Sequence, residues 1–263
     1  MTTLHLLASS NGEVTLTANP DYEIKSSYSF TVVATDTSGN ASEQVVTLGI
    51  NDVDDPTVIT VVIRGNSLNN ILTGTINTQN VINGDGGNDS LTGANLKDTL
   101  LGGSGNDTLI GNEENDFLDG GSSNDSLLGG TGNDILTGGS GNDTLIGGNG
   151  ADNISGGSGL DLFLYQSPNQ GEDRITDFSL TEDKIGISAS GFGGGLIANT
   201  PLTSAQFSLG TSATLETQRF IYDSSTGALF FDADGSNSGS GQIQIAQLHG
   251  RPAINLQHFQ IVT

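Results

Sequence analysis

Aspartate recurs every nine residues through the middle of this 263-residue chain, at Asp89, Asp98, Asp107, Asp116, Asp125, Asp134, Asp143, Asp152 and Asp161. Carboxylates set out this evenly are hard oxygen donors along a line, and they suit coordination of a hard cation. Calcium takes six to eight such oxygens, from carboxylates and main-chain carbonyls together. Acid–base catalysis fits less well, because spacing this regular describes a scaffold rather than one tuned pair of groups.

Two further columns keep phase with the aspartates. Glycine stands five residues before each one, at Gly84, Gly93, Gly102, Gly111, Gly120, Gly129, Gly138, Gly147 and Gly156. A large apolar residue stands two after, at Leu91, Leu100, Leu109, Leu118, Leu127, Leu136, Leu145, Ile154 and Phe163. A period of this kind predicts a solenoid. The first six positions, as in Gly102-Gly103-Ser104-Gly105-Asn106-Asp107, suit a tight turn, since glycine reaches positive φ and lets carbonyls crowd one point. The last three, as in Thr108-Leu109-Ile110, suit a short strand with one side chain inward. Two nonapeptides then make one turn of a flattened coil, with the leucines stacked inside and coils about 4.8 Å apart.

One leucine per nonapeptide is a thin core. Residues 84–164 also carry thirteen Asp or Glu against the single Lys97. Loops two repeats apart share an edge, so a cation between them neutralises carboxylates that otherwise repel. Its binding energy becomes folding energy.

The motif G-G-x-G-x-D-x-U-x resembles the haemolysin-type (RTX) calcium-binding repeats. Residues 102–110, 129–137, 138–146, 147–155 and 156–164 match it at every motif position. The resemblance implies several calcium ions held by loop carbonyls and aspartates. The candidate ligands are Gly84, Gly87 and Asp89; Gly102, Ser104, Gly105 and Asp107; and Asp116. They continue with Gly120, Ser122 and Asp125; Gly129, Thr131, Gly132 and Asp134; and Gly138, Ser140, Gly141 and Asp143. Gly147, Asn149, Gly150 and Asp152, then Gly156, Ser158 and Asp161, complete the set. Leu96, Glu114 and Ser123 replace loop glycines, so sites using the 93 and 111 loops are expected to be weaker or lost. The best sites are expected between the 129 and 147 loops and between the 138 and 156 loops.

Thirty acidic residues against seven basic ones, a net charge of −23, exclude a nucleic-acid partner and a polybasic membrane surface. There is no cysteine, and no apolar run reaches the length of a membrane span. Residues 1–10 make a poor signal peptide. No H-E-x-x-H or G-x-S-x-G occurs, and His5, His249 and His258 read as surface or packing residues, so no enzyme is expected here.

The flanks differ from the middle. Residues 61–83 keep glycine and leucine columns without aspartate and read as worn capping repeats. Residues 165–263 alternate as strands, with a hairpin from Arg219-Phe220-Ile221-Tyr222-Asp223 to Ala228-Leu229-Phe230-Phe231-Asp232. They look like the C-terminal β-sandwich of serralysin-type proteases, which implies an uncleaved type I secretion signal and the type I secretion machinery as a partner. Asp232-Ala233-Asp234-Gly235 invites an EF-hand reading but lacks the first and twelfth ligands. Residues 1–60 are similar to half of a bacterial cadherin-like domain, with Glu23, Asp36, Asp52, Asp54 and Asp55 as the corresponding acids.

The expected fold is all-β: a parallel β-roll over 84–164, capped by a C-terminal β-sandwich and preceded by a partial cadherin-like segment. The expected protein is secreted or at the cell surface and forms the tail of a longer architecture. It is a structural or adhesin-like module contacting cell-surface or matrix components. The alternative is the export and folding module of an extracellular protease or lipase whose catalytic domain lies elsewhere.

Overall fold

The computed structural model describes residues 60–263 apart from 238 and 240, and before residue 60 only the backbone of four strands. The nonapeptides form a parallel β-roll. Each strand pairs with the strand two repeats away, so Leu109 faces Leu91 and Leu127, and Leu118 faces Leu100 and Leu136. Odd and even repeats thereby build two facing sheets, an 8-stranded and a 13-stranded one among the described residues.

The apolar column lies between those sheets. Leu91, Leu100, Leu109, Leu118, Leu127, Leu136 and Leu145 are all fully buried. Within a strand such as Thr108–Glu113 only Leu109 and Gly111 are buried. The core inside the roll is therefore one side chain thick, as the sequence predicts.

The strands are longer than the three residues the pattern suggests. Thr108–Glu113, Phe117–Ser122, Ser126–Thr131 and Ile135–Ser140 each run on through the first three positions of the next nonapeptide. The true turn shrinks to three residues, as at Gly105-Asn106-Asp107. The reason is pairing: the G-G-x segments stack on one another, Gly121 on Gly103 and Ser122 on Ser104, and join the ladder.

Both sheets continue beyond the repeats. Asp173–Ile175 adds in parallel to Asn153–Ser158, and Ile243–Leu248 adds in parallel to it in turn. The expected hairpin forms, with Tyr222 opposite Leu229, and lies beside Ile243–Leu248. On the other sheet Leu162–Tyr165 pairs with Lys184–Ser188, which pairs with Phe259–Val262. The C-terminal strands thus extend the roll's own two sheets. Between them the leucine column gives way to a thicker aromatic cluster in which Phe192, Phe207, Phe220, Phe231 and Phe259 meet at ring separations of 4.9–5.9 Å.

At the other end Thr60–Asn66 and Gln79–Asp85 pair in parallel as the first coils. Ahead of them Ser27–Thr35 and Ala41–Gly49 form an antiparallel hairpin whose second strand joins Thr60–Asn66 at Thr47 and Leu48. Glu23, Asp36, Asp52, Asp54 and Asp55 lie outside the described residues.

A one-residue core makes every rung of it costly to lose. Leu127→Ala should destabilise the folded roll by about 2–5 kcal/mol, because rigid sheets on both sides cannot close the cavity. Leu128→Ala, on the half-exposed outer face, should cost under about 1 kcal/mol. Denaturant unfolding of both variants in calcium measures the difference.

Candidate metal-binding edges

The turns bring the repeat aspartates to the two edges of the roll, and all nine are buried at 1–3 % exposure. One edge carries Asp89, Asp107, Asp125, Asp143 and Asp161; the other carries Asp98, Asp116, Asp134 and Asp152. Along each edge one rule holds. An aspartate's Oδ1 accepts the backbone N–H of the aspartate eighteen residues earlier, as Asp107 does from Asp89 at 2.7 Å and Asp152 from Asp134 at 2.8 Å. The same residue's carbonyl accepts an N–H from the next coil, as Asp89 does from Thr108. Main chain and side chain together tie each loop to its neighbour.

The second carboxylate oxygen is left over. Oδ2 of Asp89, Asp107, Asp116, Asp125, Asp134, Asp143, Asp152 and Asp161 is buried without a hydrogen-bond partner. A buried acceptor without a donor costs about 1–3 kcal/mol, and more when charged. Among the described residues no three carboxylate or imidazole side chains converge, so a cation here draws mainly on main-chain oxygens with a carboxylate or two. Calcium accepts such a set. The orphaned, anionic, buried oxygens fit that ion.

The glycines serve this arrangement. A Cβ on Gly102 would fall 2.5 Å from both Asp107 Oδ2 and the Gly120 carbonyl oxygen. The first-column candidates Gly84, Gly120, Gly129, Gly138, Gly147 and Gly156 likewise lie under their own repeat's Oδ2. At the turn, Gly141 has φ 134° and passes against the Ser123 carbonyl; Gly87, Gly105, Gly132 and Gly150 occupy the equivalent place, also at positive φ.

Two details of the loops bear on the expected sites. The loop carbonyls are not all free: those of Ser122, Ser140, Asn149 and Ser158 each accept the N–H of a fourth loop residue seventeen positions earlier, leaving one lone pair apiece. The other third-position candidates, Ser104 and Thr131, sit in the same strand-end ladder. Second, loss of a loop glycine does not undo the turn. Asn112, Glu114 and Ser123 hold φ of 84°, 69° and 83°, because their neighbours' ladder dictates the path. The 93 and 111 loops therefore differ. Asp98 Oδ2 is satisfied by the Ala94 N–H at 2.6 Å, whereas Asp116 Oδ2 is orphaned like the rest.

Sequence reasoning missed several residues. Asn69, Asn88, Asn106, Asn124 and Asn142 form an exposed ladder in which each Oδ1 accepts the N–H of the next coil, running opposite to the aspartates. Asn115 and Asn133 do the same on the other edge. The recurring Asn-Asp dipeptide was the available signal. Asn70 and Asn80 begin the two rows, donating N–H groups to Asp89 and Asp98. Asp173 and Asp183 end them, accepting from Asp152 and Asp161 at 3.1 Å. Their signal was Asp-x-Ile, although their spacing is broken. The EF-hand reading of Asp232 gives way to an ordinary turn in which its Oδ1 accepts the Asp234 and Gly235 N–H groups. His258 is buried beside Phe178 and bonds to Asn255 and the Leu180 carbonyl, whereas His249 is exposed near Arg174.

Comparison with known proteins agrees with this geometry over the repeats. Residues 77–100, 92–127 and 128–163 match the RTX calcium-binding nonapeptide repeat family. The middle of the chain is thus a parallel β-roll of RTX calcium-binding repeats. A subunit of the Azotobacter vinelandii mannuronan C5-epimerase, determined in solution, is 26% identical with a TM-score of 0.38, covering 57% of this chain and 80% of its own. No curated protein matches the chain. No helix among the described residues is long and apolar enough to cross a membrane.

Burial, and then the like charges along each row, push Asp116, Asp125, Asp134 and Asp143 above their ordinary range. Asp116 and Asp125 rise to about 7, and Asp134 and Asp143 to about 6. A group with a raised folded-state pKa stabilises the fold fully below its unfolded value of about 4, and that contribution is lost as pH rises through the folded value. In excess chelator the roll should therefore be least stable above about pH 7 and gain β-structure as the pH falls toward about 5. Far-UV circular dichroism against pH, with and without calcium, checks this; calcium should remove most of the dependence.

Proposed function

We propose that this chain is a secreted, non-enzymatic calcium-binding module whose roll folds when calcium becomes available outside the cell. The observation that supports it is the pair of buried carboxylate rows, every repeat loop but that of Asp98 leaving one anionic oxygen without a donor. At neutral pH and without a cation, those rows oppose the coil stacking that the leucines favour. Bound calcium supplies positive charge and a demand for oxygen ligands between neighbouring loops. The aspartates and loop carbonyls hold the ion, the glycines keep its space clear, and the asparagine ladders fix loop spacing from outside. Sites between the 129 and 147 loops and between the 138 and 156 loops combine glycine-complete loops with orphaned Oδ2 atoms on Asp134, Asp143, Asp152 and Asp161.

On this reading the chain stays extended where calcium is scarce, in a form that a type I exporter can thread, and folds at extracellular calcium levels. Sites of the extracellular class, with Kd of about 10⁻⁴–10⁻³ M, would be empty inside the cell and filled outside it. The folded roll is a rigid spacer for an adhesin-like or matrix protein. The hairpin that joins Ser27–Thr35 and Ala41–Gly49 to the roll's first coil supports a continuous β-structure at that junction.

A calcium titration followed by far-UV circular dichroism should show a cooperative gain of β-structure near millimolar calcium. Magnesium should fail, since it demands a small octahedral shell and keeps its waters. The double variant Asp134→Ala, Asp143→Ala should lose the transition or require at least about tenfold more calcium. An unchanged β spectrum in excess chelator at pH 8 would refute calcium-dependent folding.

A further inference from the structure

The match to the repeat family ends at residue 163, and the nine-residue phase breaks there. The fold does not break on one edge. Gly171 has φ 126°, and a Cβ on it would collide with the Gly150 carbonyl oxygen, as one on Gly150 would with that of Gly132. The Gly150 N–H donates to the Gln170 carbonyl at 2.6 Å, as the Gly132 N–H does to Asn149 at 2.8 Å. Asp173 Oδ1 accepts the Asp152 N–H, as Asp152 Oδ1 accepts that of Asp134. The Arg174 N–H then donates to the Asp152 carbonyl at 2.7 Å, as Asn153 does to Asp134. Residues 170–174 thus repeat the hydrogen bonding of 149–153, displaced in sequence by three inserted residues, although Asn169 lacks the positive φ of Gly148.

Two buried polar atoms beside this loop lack a close hydrogen bond. Asp152 is 1 % exposed with an orphaned Oδ2. Tyr165 is 4 % exposed, and its hydroxyl has the Asp173 carboxylate as its polar neighbour, without a close hydrogen bond. The charges of both Asp173 and Asp152 act on that hydroxyl, so the phenol faces the carboxylate pair. Two buried carboxylates and a buried phenol therefore lie together at this edge.

The opposite edge ends differently. Asp183 Oδ1 accepts the Asp161 N–H, and its Oδ2 accepts the Ser179 N–H at 2.7 Å, so neither oxygen is left over. Asp177 covers the neighbouring glycines, accepting the Gly156 and Gly157 N–H groups at 3.0 and 2.9 Å. Asp161 Oδ2 stays without a donor there, as Asp152 Oδ2 does, but the terminal carboxylate of Asp183 has both oxygens occupied.

We propose that the roll holds one more divalent-cation site than its recognisable repeats provide, between the 147 loop and the cryptic loop 168–173, with Asp152 and Asp173 as its carboxylates. Tyr165 lies over the ion as a positioning residue. The site rests on the calcium-folding reading above and moves the end of the metal row past the last nonapeptide, on one edge only.

Tyrosine sensitises the emission of a nearby terbium ion, a calcium surrogate, so Tyr165 reports on this site alone among the repeats. The test uses the full chain with terbium, and calcium counting by equilibrium dialysis. Wild type should emit under tyrosine excitation, and Tyr165→Phe should lose most of that emission while binding the same number of ions. Asp173→Asn should bind about one calcium ion fewer per chain, keep the calcium-induced β signal, and lose the sensitised emission. Asp183→Asn should change neither ion number nor emission. Equal ion counts and emission in wild type and Asp173→Asn would overturn the site while leaving calcium-dependent folding intact. If wild type folds in chelator at pH 8, the underlying reading fails first, and the circular dichroism control separates the two failures.

Discussion

Each edge of the roll stacks buried carboxylates about one strand spacing apart, and two unit charges about 5 Å apart repel by about 3 kcal/mol at an effective dielectric of about 20. That repulsion is the constraint to which the rest of the structure answers. Half of each carboxylate is satisfied by the N–H of the preceding aspartate. In every repeat aspartate but Asp98 the other oxygen is buried with no donor. The backbone can stack only if something positive, or a proton, takes the place of the missing donor. The same feature that weakens the bare roll gives it an appetite for calcium.

The roll tolerates this because its other contacts are strictly periodic. A single leucine per strand, an aspartate ladder in one direction and an asparagine ladder in the other repeat on every coil. Contacts are thus confined to neighbouring turns, as in other solenoids, and ordering one loop pair prepares the next. Local faults are absorbed. Asn112, Glu114 and Ser123 take up left-handed backbone at a cost of order 1–2 kcal/mol each, because two flanking coils already define the path.

A solenoid also needs ends, and this one finishes its two edges by different chemistry. At the N-terminal side asparagines Asn70 and Asn80 stand where aspartate would, accepting the local N–H groups of Asn66 and Thr75 without adding charge. At the C-terminal side the leucine column runs into Phe163 and Phe178 and then the wider aromatic cluster around Phe220. This thicker core covers the last coil, and Asp177 and Asp183 close one edge with hydrogen bonds. The other edge carries on through Asp173, whose carboxyl is pushed up to about 8 by burial and by Asp152.

Much of this was legible in the residues alone. Three columns at a period of nine dictate a coil of two repeats, an inward leucine and an edge aspartate, because strand alternation and glycine turns leave few other ways to bury one residue in nine. The ligand type followed from carboxylate chemistry. Three things needed the tertiary structure. The length of the strands depends on pairing between G-G-x segments eighteen residues apart, which no single nonapeptide encodes. The exposed asparagine ladder is a hydrogen-bond pattern across coils. And Asp173 and Asp183 occupy the next rung of each row only because stacking, unlike sequence spacing, is indifferent to residues looped out between coils. The nine-residue phase ends near 164, but the chemistry of the edge is set by what lies one strand away in space.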